Sequence, residues 1–250
     1  MGGGLVKRRR GAWAAVWMLA LGALGVLLLL GLTTIARPAG ILGRLNINYA
    51  VLDISHGHYK VSPALANGAD GTEPLNSMVK RLKPHVAICG TYYDENYRPL
   101  GDIVVNGKVV CRGSQRQGIG FTSSGKIVFR ERKGRSRIDW SGCVSGIACG
   151  PRLVRSGKKD INVRRDGFSK AASTNRAWRC AVGKTADGKL ILCAVSQSIT
   201  LNTLADAMLE LGAVDAINLD GGSMCAFYEN GRAKVEPVKP LNNILAVYKK

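Results

Sequence analysis

The chain has 250 residues and a formal net charge of +19, from 36 Lys and Arg against 17 Asp and Glu. Hydrophobic residues make up 46% of it, which excludes a wholly disordered chain because so much apolar material can offset chain entropy. The 31 glycines show no triplet repeat, which excludes a collagen-like chain, and the length fits one globular domain with an appendage.

The first predicted element is a transmembrane helix over residues 11–36. This segment carries no charged side chain, and as a helix it would be about 39 Å long, enough to cross a hydrocarbon core of ~30 Å. Residues 7–10 are all basic, so the positive-inside rule predicts a cytoplasmic N-terminus over residues 1–10 and an extracytoplasmic domain. A signal peptide cleaved near Ala36 is the alternative, although the apolar core of such peptides usually has only about 7–15 residues.

The rest of the chain is predicted to be a stalk over residues 37–45 and a domain over residues 46–250. Five basic and no acidic side chains lie in residues 1–37, so residues 38–250 keep a formal charge of +14. A field of that sign attracts polyanions, and outside a membrane these are lipid headgroups and anionic envelope polymers. The densest basic run, residues 130–137, has no interleaved aromatic residues and is expected to be a solvated loop, so nucleic acid is not a predicted partner.

All the cysteines follow the predicted anchor: Cys89, Cys111, Cys143, Cys149, Cys180, Cys193 and Cys225. Their odd number leaves at least one unpaired within the chain. Cys89 and Cys193 lie in apolar runs and are expected to be small buried hydrophobic residues. Cys143 and Cys149 flank a short loop and are the pair expected to form a local disulfide. No Cys or His spacing is typical of a zinc site, and no metal or cofactor is predicted.

Short strands and few helices are predicted along the domain. Residues 75–82 are predicted to form a helix, with Pro74 suited to its first turn and Pro84 just past its end. Asn106-Gly107 lies between two β-branched runs, which predicts a tight hairpin. Further strands are predicted over residues 46–60, 86–89, 126–130, 190–195, 213–219, 225–229 and 243–248.

The clearest helix is predicted over residues 203–211. Its apolar side chains recur at the three-and-four spacing of one helix face, and Gly212 follows as a stop signal. The apolar positions are Leu204, Ala207, Met208 and Leu211. Hairpins with few helices predict an α+β fold with a mixed, largely antiparallel sheet, preceded by the one transmembrane helix.

The segment that carries chemical information follows the predicted strand 213–219. It consists of Asp220, Gly221, Gly222 and Ser223. A strand end holds a carboxylate rigidly, and glycines let the backbone approach a ligand and direct N–H groups at an anion. Asp-Gly-Gly taken alone is also a common turn sequence.

Three segments together resemble the phosphodiester glycosidase family. They are residues 88–94 (Ile-Cys-Gly-Thr-Tyr-Tyr-Asp), residues 178–183 (Trp-Arg-Cys-Ala-Val-Gly) and residues 200–223. The hairpin within residues 101–110 and the Gly-Pro-Arg-Leu turn at residues 150–153 also resemble family features, so the resemblance covers most of residues 50–248. The family includes the lysosomal enzyme that removes N-acetylglucosamine from a phosphodiester to mannose, and bacterial members associated with exopolysaccharide biosynthesis. This chain departs from the family pattern at Cys89, Cys180 and Met224.

The resemblance implies hydrolysis of the bond between the anomeric carbon of a sugar and a phosphodiester oxygen. A guanidinium fork suits the phosphate, and a carboxylate can stabilise an oxocarbenium-like carbon, attack it or activate water. Arg179 and Asp220 match family motifs and are the predicted catalytic residues. Arg152 is expected at the surface. The predicted substrate-binding residues are Gly90, Thr91, Tyr92, Asp94, Gly221, Gly222 and Ser223, with Asp94 as a possible second carboxylate.

Three functions are consistent with these patterns. The first is a membrane-anchored, extracytoplasmic hydrolase that cleaves sugar-1-phosphodiester bonds in envelope or exopolysaccharide metabolism, with a glycosyl-phosphate substrate and no cofactor. The second is a non-catalytic module that binds anionic envelope glycans, which the departures at Cys89, Cys180 and Met224 favour. The third is a scaffold in polysaccharide export whose anchor helix, residues 11–36, contacts partners.

Overall fold

The computed structural model describes residues 40–250. The predicted cytoplasmic segment 1–10 and the predicted anchor 11–36 lie outside the described residues and stay predictions. Within residues 40–250, no helix combines the length and the apolar character that a membrane crossing requires.

Sixteen strands and three α-helices form the described part of the chain. The strands are β1 (Ile47–Leu52), β2 (Tyr59–Leu65), β3 (Val86–Cys89), β4 (Ile103–Val105), β5 (Lys108–Cys111), β6 (Gln117–Phe121), β7 (Ile127–Glu131), β8 (Ser145–Cys149), β9 (Arg152–Arg155), β10 (Lys158–Lys159), β11 (Ala177–Thr185), β12 (Leu190–Ile199), β13 (Ala213–Asn218), β14 (Phe227–Glu229), β15 (Arg232–Val235) and β16 (Asn243–Lys249). The helices are α1 (Leu75–Leu82), α2 (Ala171–Thr174) and α3 (Leu201–Glu210).

The strands form three sheets. The first sheet has six strands in the order β1-β12-β11-β13-β9-β10, the second has five in the order β15-β14-β3-β16-β2, and the third has five in the order β5-β4-β8-β6-β7. Every strand pair named within residues 40–250 is antiparallel. The predicted α+β class with largely antiparallel pairing is therefore confirmed, and the strands divide among three sheets where one was expected.

Elements with strong local signals lie where they were predicted. Helix α1 and strand β3 have the predicted bounds, and the turn between β4 and β5 has Asn106 at φ 49° and Gly107 at φ 75°, the left-handed conformation that such a hairpin needs. Helix α3 begins at Leu201 rather than at residue 203. The Thr200 side chain explains the earlier start, because it caps the helix by accepting a hydrogen bond from the Thr203 backbone N–H at 3.2 Å.

The first sheet lies between two apolar layers. Successive side chains of strand β12 point alternately into one layer and the other. Leu190, Leu192 and Ala194 face the largest core cluster, which also contains residues of the second and third sheets. The intervening Ile191, Cys193 and Val195 face a second cluster, to which helix α3 contributes Leu204 and Met208 among others. Because both faces are covered, β12 is a continuous apolar run.

Residues 40–45, which fall in the predicted stalk 37–45, contact helix α3. The Ile41 N–H donates to Glu210 Oε2 at 2.7 Å, and a 3-10 turn follows at Leu42–Arg44. Leu45 packs against the cluster under α3. These residues therefore contact the domain directly.

The expected disulfide between Cys143 and Cys149 is wrong, because both cysteines are free. Cys149 is the last of the five residues of strand β8, and Cys143 lies in the turn that precedes this strand. An extended strand of that length separates its ends by more than about 13 Å, whereas a disulfide needs α-carbons within ~7 Å. As predicted, Cys89 and Cys193 are buried.

Candidate active site

The register of two neighbouring strands places Arg179 and Asp220 across from each other. Ala181 of β11 pairs with Asn218 of β13, and the hydrogen bond from Leu219 N–H to the Cys180 carbonyl, 2.8 Å, continues that register. The next position in the register sets Arg179 opposite Asp220, on the same face of the first sheet. Two residues that lie 41 positions apart in sequence are thereby brought to one sheet end.

The backbone of Asp220 is fixed from the second sheet. Its N–H donates to the carbonyl of Gly90, just after β3, at 2.9 Å. Its own carbonyl accepts a hydrogen bond from the Cys89 thiol at 2.8 Å. Asp220 is therefore held where the ends of β3, β11 and β13 meet.

Burial changes the protonation of the Asp220 side chain. One carboxyl oxygen accepts the Gly221 N–H at 2.8 Å, and the other has no hydrogen-bond partner among the described residues. Burial raises the pKa of Asp220 from its ordinary 3.8 to about 7, against the opposing effect of the Gly221 hydrogen bond. A carboxyl group with this pKa exists in both forms near neutral pH, so a substantial fraction of it is ionised there and can act as a base or a nucleophile.

Arg179 carries a positive charge that no carboxylate of residues 40–250 neutralises. Its guanidinium donates to the Asn175 carbonyl at 2.7 Å and weakly to the Ile199 carbonyl at 3.5 Å. Burial lowers its pKa somewhat, and the nearby Tyr92 phenol opposes that shift. A half-buried guanidinium bonded only to carbonyls is suited to bind a phosphate.

Gly221 allows the loop after Asp220 to pack on strand β11. A Cβ at this position would lie 2.6 Å from the Trp178 carbonyl oxygen and 3.4 Å from the Arg179 α-carbon. Gly222 follows with φ 58°, in the left-handed region that favours glycine. Ser223 lies in the 3-10 turn Gly222–Met224, and its carbonyl accepts the Val238 N–H at 2.8 Å.

Tyr92 lies near both charged groups. Its hydroxyl donates to the Gly150 carbonyl at 3.0 Å and accepts a hydrogen bond from Asn218 Nδ2 at 2.5 Å. Burial raises the pKa of Tyr92 above its ordinary value; the negative charge of Asp220 adds to the rise, and the positive charge of Arg179 counteracts it. The Tyr92 phenol therefore stays neutral. Its hydrogen bond with Asn218 connects β13 to a cavity that Tyr92 also lines.

A cavity of about 750 Å³, here called the main cavity, opens beside these residues. Its aromatic lining comes from Tyr92, Tyr93 and Phe168, and the rings of Tyr92 and Phe168 meet edge to face with centroids 5.8 Å apart. Its polar lining includes Gln115, Asn175, Arg176 and Arg179. Asp220 is not among the lining residues. Burial raises the pKa values of both Tyr92 and Tyr93, and the negative charge of Asp220 adds to both shifts. Aromatic rings and guanidinium groups together suit a sugar that carries a phosphate.

Of the predicted binding residues, only Tyr92 lines this cavity; Gly221, Gly222 and Ser223 do not, and the other three have structural partners. Thr91 is buried, and its backbone N–H and carbonyl are bound by the Asn243 side chain at 2.7 and 3.0 Å. Gly90 is buried under the same side chain, since a Cβ there would lie 2.0 Å from Asn243 Oδ1. Asp94 caps its own turn by accepting the N–H groups of Asn96 and Arg98, each at 2.9 Å.

The residues at which the chain departs from the family pattern are also placed by the fold. Cys89 and Cys180 are buried, and Cys180 Sγ lies 3.2 Å from Cys225 Sγ. Met224 accepts a hydrogen bond from the Tyr93 hydroxyl at 3.4 Å. None of these three residues lines the main cavity.

Several residues of the site were not predicted from the sequence. Asn218 stands two positions before Asp220, so strand alternation could have indicated that both lie on one face. Gln115, Phe168 and Arg176 come from separate loops, and no local pattern distinguishes them. Within residues 40–250, no group of three or more His, Cys, Asp or Glu side chains is placed to hold a metal ion.

The expectation that Arg152 lies at the surface is wrong. Its side chain is buried, forms an ion pair with Asp215 and lies over the Phe129 ring at 4.6 Å from the centroid. Its backbone N–H donates to Asp166 at 2.8 Å. Arg152 thus joins β9 to β13 under the third sheet and does not reach the main cavity.

The sequence was also compared with known proteins and protein families. The sequence model of the phosphodiester glycosidase family matches residues 83–248, which include Gly90, Arg179 and Asp220. A comparison of the sequence with curated proteins found no match.

Solved structures share the fold. The catalytic domain of zebrafish N-acetylglucosamine-1-phosphodiester α-N-acetylglucosaminidase, auto-inhibited by its pro-peptide, superposes with a TM-score of 0.68 at 24% identity, over 82% of this chain and 84% of that domain. A protein from Synechocystis gives 0.63 at 18% identity over 82% of this chain, which spans 59% of that protein's length. A protein from Burkholderia pseudomallei gives 0.61 at 12% identity, over 81% of this chain and 73% of the other.

Proposed function

Because the chain belongs to the phosphodiester glycosidase family, we propose that it hydrolyses the bond between the anomeric carbon of a sugar and a phosphodiester oxygen. The observation that carries the proposal is the pairing of Arg179 with Asp220 at one sheet end. Arg179 has no carboxylate partner among the described residues, and Asp220 has a pKa of about 7. A fixed cation for the phosphate and a carboxyl group for the sugar carbon are the two groups that this reaction needs.

The proposed reaction assigns a separate task to each group. The bond from the anomeric carbon to the phosphate oxygen breaks, its electron pair leaves with the phosphomonoester, and a water oxygen finally adds to the carbon. Arg179 holds the phosphate by two parallel N–H bonds while negative charge grows on it. The leaving phosphomonoester is already acidic, so protonation of it contributes less than in ordinary glycoside hydrolysis.

Asp220 acts in its ionised form. It stabilises the positive charge that develops on the anomeric carbon, attacks that carbon or activates the water. Its unpartnered carboxyl oxygen is the atom available for this task. The aromatic side of the main cavity, Tyr92 and Phe168, packs against the apolar face of the sugar.

Replacement of Asp220 tests the proposal. In the full chain, Asp220→Asn is expected to lower kcat on an N-acetylglucosamine-1-phosphodiester by at least ~100-fold, because the carboxylate is lost while the shape is kept. Release of free sugar measures the activity. Asp94→Asn is the matched control, since Asp94 caps a turn outside the main cavity, and it is expected to change kcat by less than ~3-fold. Full turnover by Asp220→Asn would remove Asp220 from the mechanism.

A non-catalytic module that binds anionic glycans is the second candidate, and the formal charge of +14 on residues 38–250 favours it. Such a module would bind a phosphate-bearing polymer in a salt-sensitive manner without forming product. The departures at Cys89 and Cys180 give it less support than the sequence suggested, because both side chains are buried outside the main cavity. Product formation by the unaltered chain decides between the two candidates.

The proposed location is extracytoplasmic, with residues 11–36 as the anchor. It is supported by the uncharged length of that segment and by the basic residues 7–10 before it. In this location the substrates available are glycans of the cell envelope or exopolysaccharides that contain glycosyl phosphodiesters.

A further inference from the structure

A second cavity adjoins the main cavity. It has a volume of about 310 Å³, and three arginines of the loop between β7 and β8 line it: Arg132, Arg135 and Arg137. We call it the arginine cavity. Ser114 and Gln115 line both cavities, and both are held in place because their N–H groups donate to the Leu100 carbonyl at 2.8 and 3.1 Å.

The three arginines keep their positive charge available. Arg132 donates to the carbonyls of Ser136 and Arg135 at 2.8 and 3.4 Å, which shapes the loop. Arg135 and Arg137 are exposed, and their side chains form no hydrogen bond or ion pair with any residue of 40–250. The nearby acidic side chains are engaged elsewhere, since Glu131 pairs with Arg155 and Asp139 accepts hydrogen bonds from Ser141.

One carboxylate, Asp102, lines the arginine cavity, and its oxygens are already bound. Oδ2 accepts Trp140 Nε1–H at 2.9 Å and lies 3.7 Å from Arg112, while Oδ1 accepts the Gly113 N–H at 2.9 Å. Asp102 is buried, and its charge is compensated by Arg112 and two hydrogen bonds. The arginine cavity therefore keeps a net positive charge and is suited to an anion.

We propose that the arginine cavity binds a second phosphate of the substrate, on the side of the leaving group, so that the preferred substrate is a glycan with repeated phosphodiesters. This inference rests on the proposed function, which puts the scissile phosphate at Arg179. The shared lining residues Ser114 and Gln115 lie where the connecting sugar of such a polymer would pass.

The Gln115 side chain supports a sugar at this junction. Its Oε1 is enclosed and has no hydrogen-bond donor among the described residues, although Gln115 lines both cavities. A buried amide oxygen without a donor is unfavourable, because it has lost its contact with water and gained no hydrogen bond in return. A sugar hydroxyl is such a donor, and after a rotation of the Gln115 side chain it would satisfy this oxygen. Along such a substrate, Arg179 binds the scissile phosphate and Gln115 a hydroxyl of the connecting sugar. The arginine cavity binds the second phosphate.

Two substrates and two variants of the full chain test the proposal. One substrate is the methyl phosphodiester of N-acetylglucosamine 1-phosphate, and the other has, instead of methyl, a hexose that carries a second phosphate. The variant R135Q/R137Q removes two charges without breaking a hydrogen bond of the loop. The control R232Q/K234Q removes two exposed, unpaired charges of β15, which does not line either cavity.

The unaltered chain is expected to show a KM for the two-phosphate substrate about 10-fold lower than for the methyl diester, as charge-assisted hydrogen bonds at an exposed site would give. R135Q/R137Q should lose this preference and keep its kinetics on the methyl diester, and R232Q/K234Q should retain the preference. No preference in the unaltered chain, or equal loss in both variants, would overturn the proposal.

A binding experiment separates failure of this inference from failure of the proposed hydrolysis. If no form of the chain turns over either substrate, calorimetric binding of inorganic tripolyphosphate is measured. Binding weakened ~10-fold by R135Q/R137Q and unchanged in R232Q/K234Q supports the anion site while the hydrolysis fails. Equal binding by all forms overturns the anion site. Tighter binding of a single-stranded oligonucleotide of equal charge, lost in the same variant, overturns the assignment to a glycan.

Discussion

At the scale of single residues, the proposed chemistry depends most on the protonation of Asp220. Burial removes water from the carboxyl group, which disfavours its charged form and raises its pKa to about 7. Arg179 does not reverse this rise, because its guanidinium is directed at the Asn175 carbonyl. The same desolvation has consequences for both rate and stability.

The rate should follow the ionisation of Asp220. If its carboxylate is the reactive form, kcat/KM rises with pH up to about 7 and is constant above it, since kcat/KM reports pKa values of the free enzyme. A phosphodiester substrate does not titrate in this range. Initial rates between pH 5 and 9 at constant ionic strength measure the profile. A decrease of kcat/KM above pH 7 would instead assign Asp220 as a proton donor.

The stability should change with pH in the opposite sense. Between about pH 4 and 7 the unfolded chain has lost the Asp220 proton and the folded chain keeps it, so the free energy of unfolding falls as pH rises. Asp220→Asn removes this penalty. The variant should match the unaltered chain near pH 4 and exceed it at pH 8 by up to ~4 kcal/mol, since one pKa unit is worth about 1.4 kcal/mol. Urea unfolding at both pH values gives the two differences, and a gain independent of pH would contradict the stated cause.

At the scale of elements, the close packing of the Asp220 loop on strand β11 sets the geometry of the site. Gly221 permits it, because a Cβ there would lie 2.6 Å from the Trp178 carbonyl oxygen, which is backbone and cannot rotate away. The loop must therefore shift when any larger residue occupies this position. The shift would move Asp220 away from Arg179.

Gly221→Ala is accordingly expected to destabilise the chain by roughly 1–3 kcal/mol and to reduce kcat, as overpacking against a rigid neighbour does. Thermal unfolding and sugar release measure the two effects. Gly222→Ala is the control, because its added Cβ would meet nothing within 4 Å and would cost only the strain of φ 58°, about 1 kcal/mol. Equal kcat for the two variants would show that contact with β11 does not position Asp220.

At the scale of the whole molecule, the distribution of charge is the basis of the proposed location. Basic residues 7–10 precede the uncharged segment 11–36, and residues 38–250 have a formal charge of +14. By the positive-inside rule, the first feature predicts the orientation of the proposed anchor, and the second is expected to attract anionic polymers. The arginine cavity concentrates part of this charge beside the main cavity.

The orientation can be measured on the full chain expressed in a bacterium. Protease added to spheroplasts should digest the domain, while residues 1–10 remain protected inside. Replacement of residues 7–10 by Gln is expected to lower the digested fraction, because the charge asymmetry across the anchor is lost. A domain that resists protease in spheroplasts contradicts the proposed location, and a domain found free in the periplasm supports cleavage near Ala36.

Local elements were predictable because their determinants are neighbours in the sequence. The hairpin at Asn106-Gly107 needs two residues that accept positive φ, and helix α1 needs an apolar face between two prolines. The α+β class follows from many such short elements, and the resemblance carried by residues 88–94, 178–183 and 200–223 pointed to the family that the comparison shows. The Cys143–Cys149 disulfide was wrong because pairing with β4 and β6 makes residues 145–149 an extended strand instead of a loop. The surface position of Arg152 was wrong because its partners, Asp215 and Phe129, come from remote strands.

Tertiary structure alone decided which groups surround the reacting centre. Antiparallel pairing of β11 with β13 sets Arg179 opposite Asp220, and Tyr92 meets Asn218 across 126 positions of sequence. The raised pKa of Asp220 and the meeting of the two cavities at Gln115 likewise arise from burial and from loops remote in sequence. A sequence specifies local backbone preference and charge, whereas desolvation and side-chain distance depend on segments that become neighbours only when the three sheets pack.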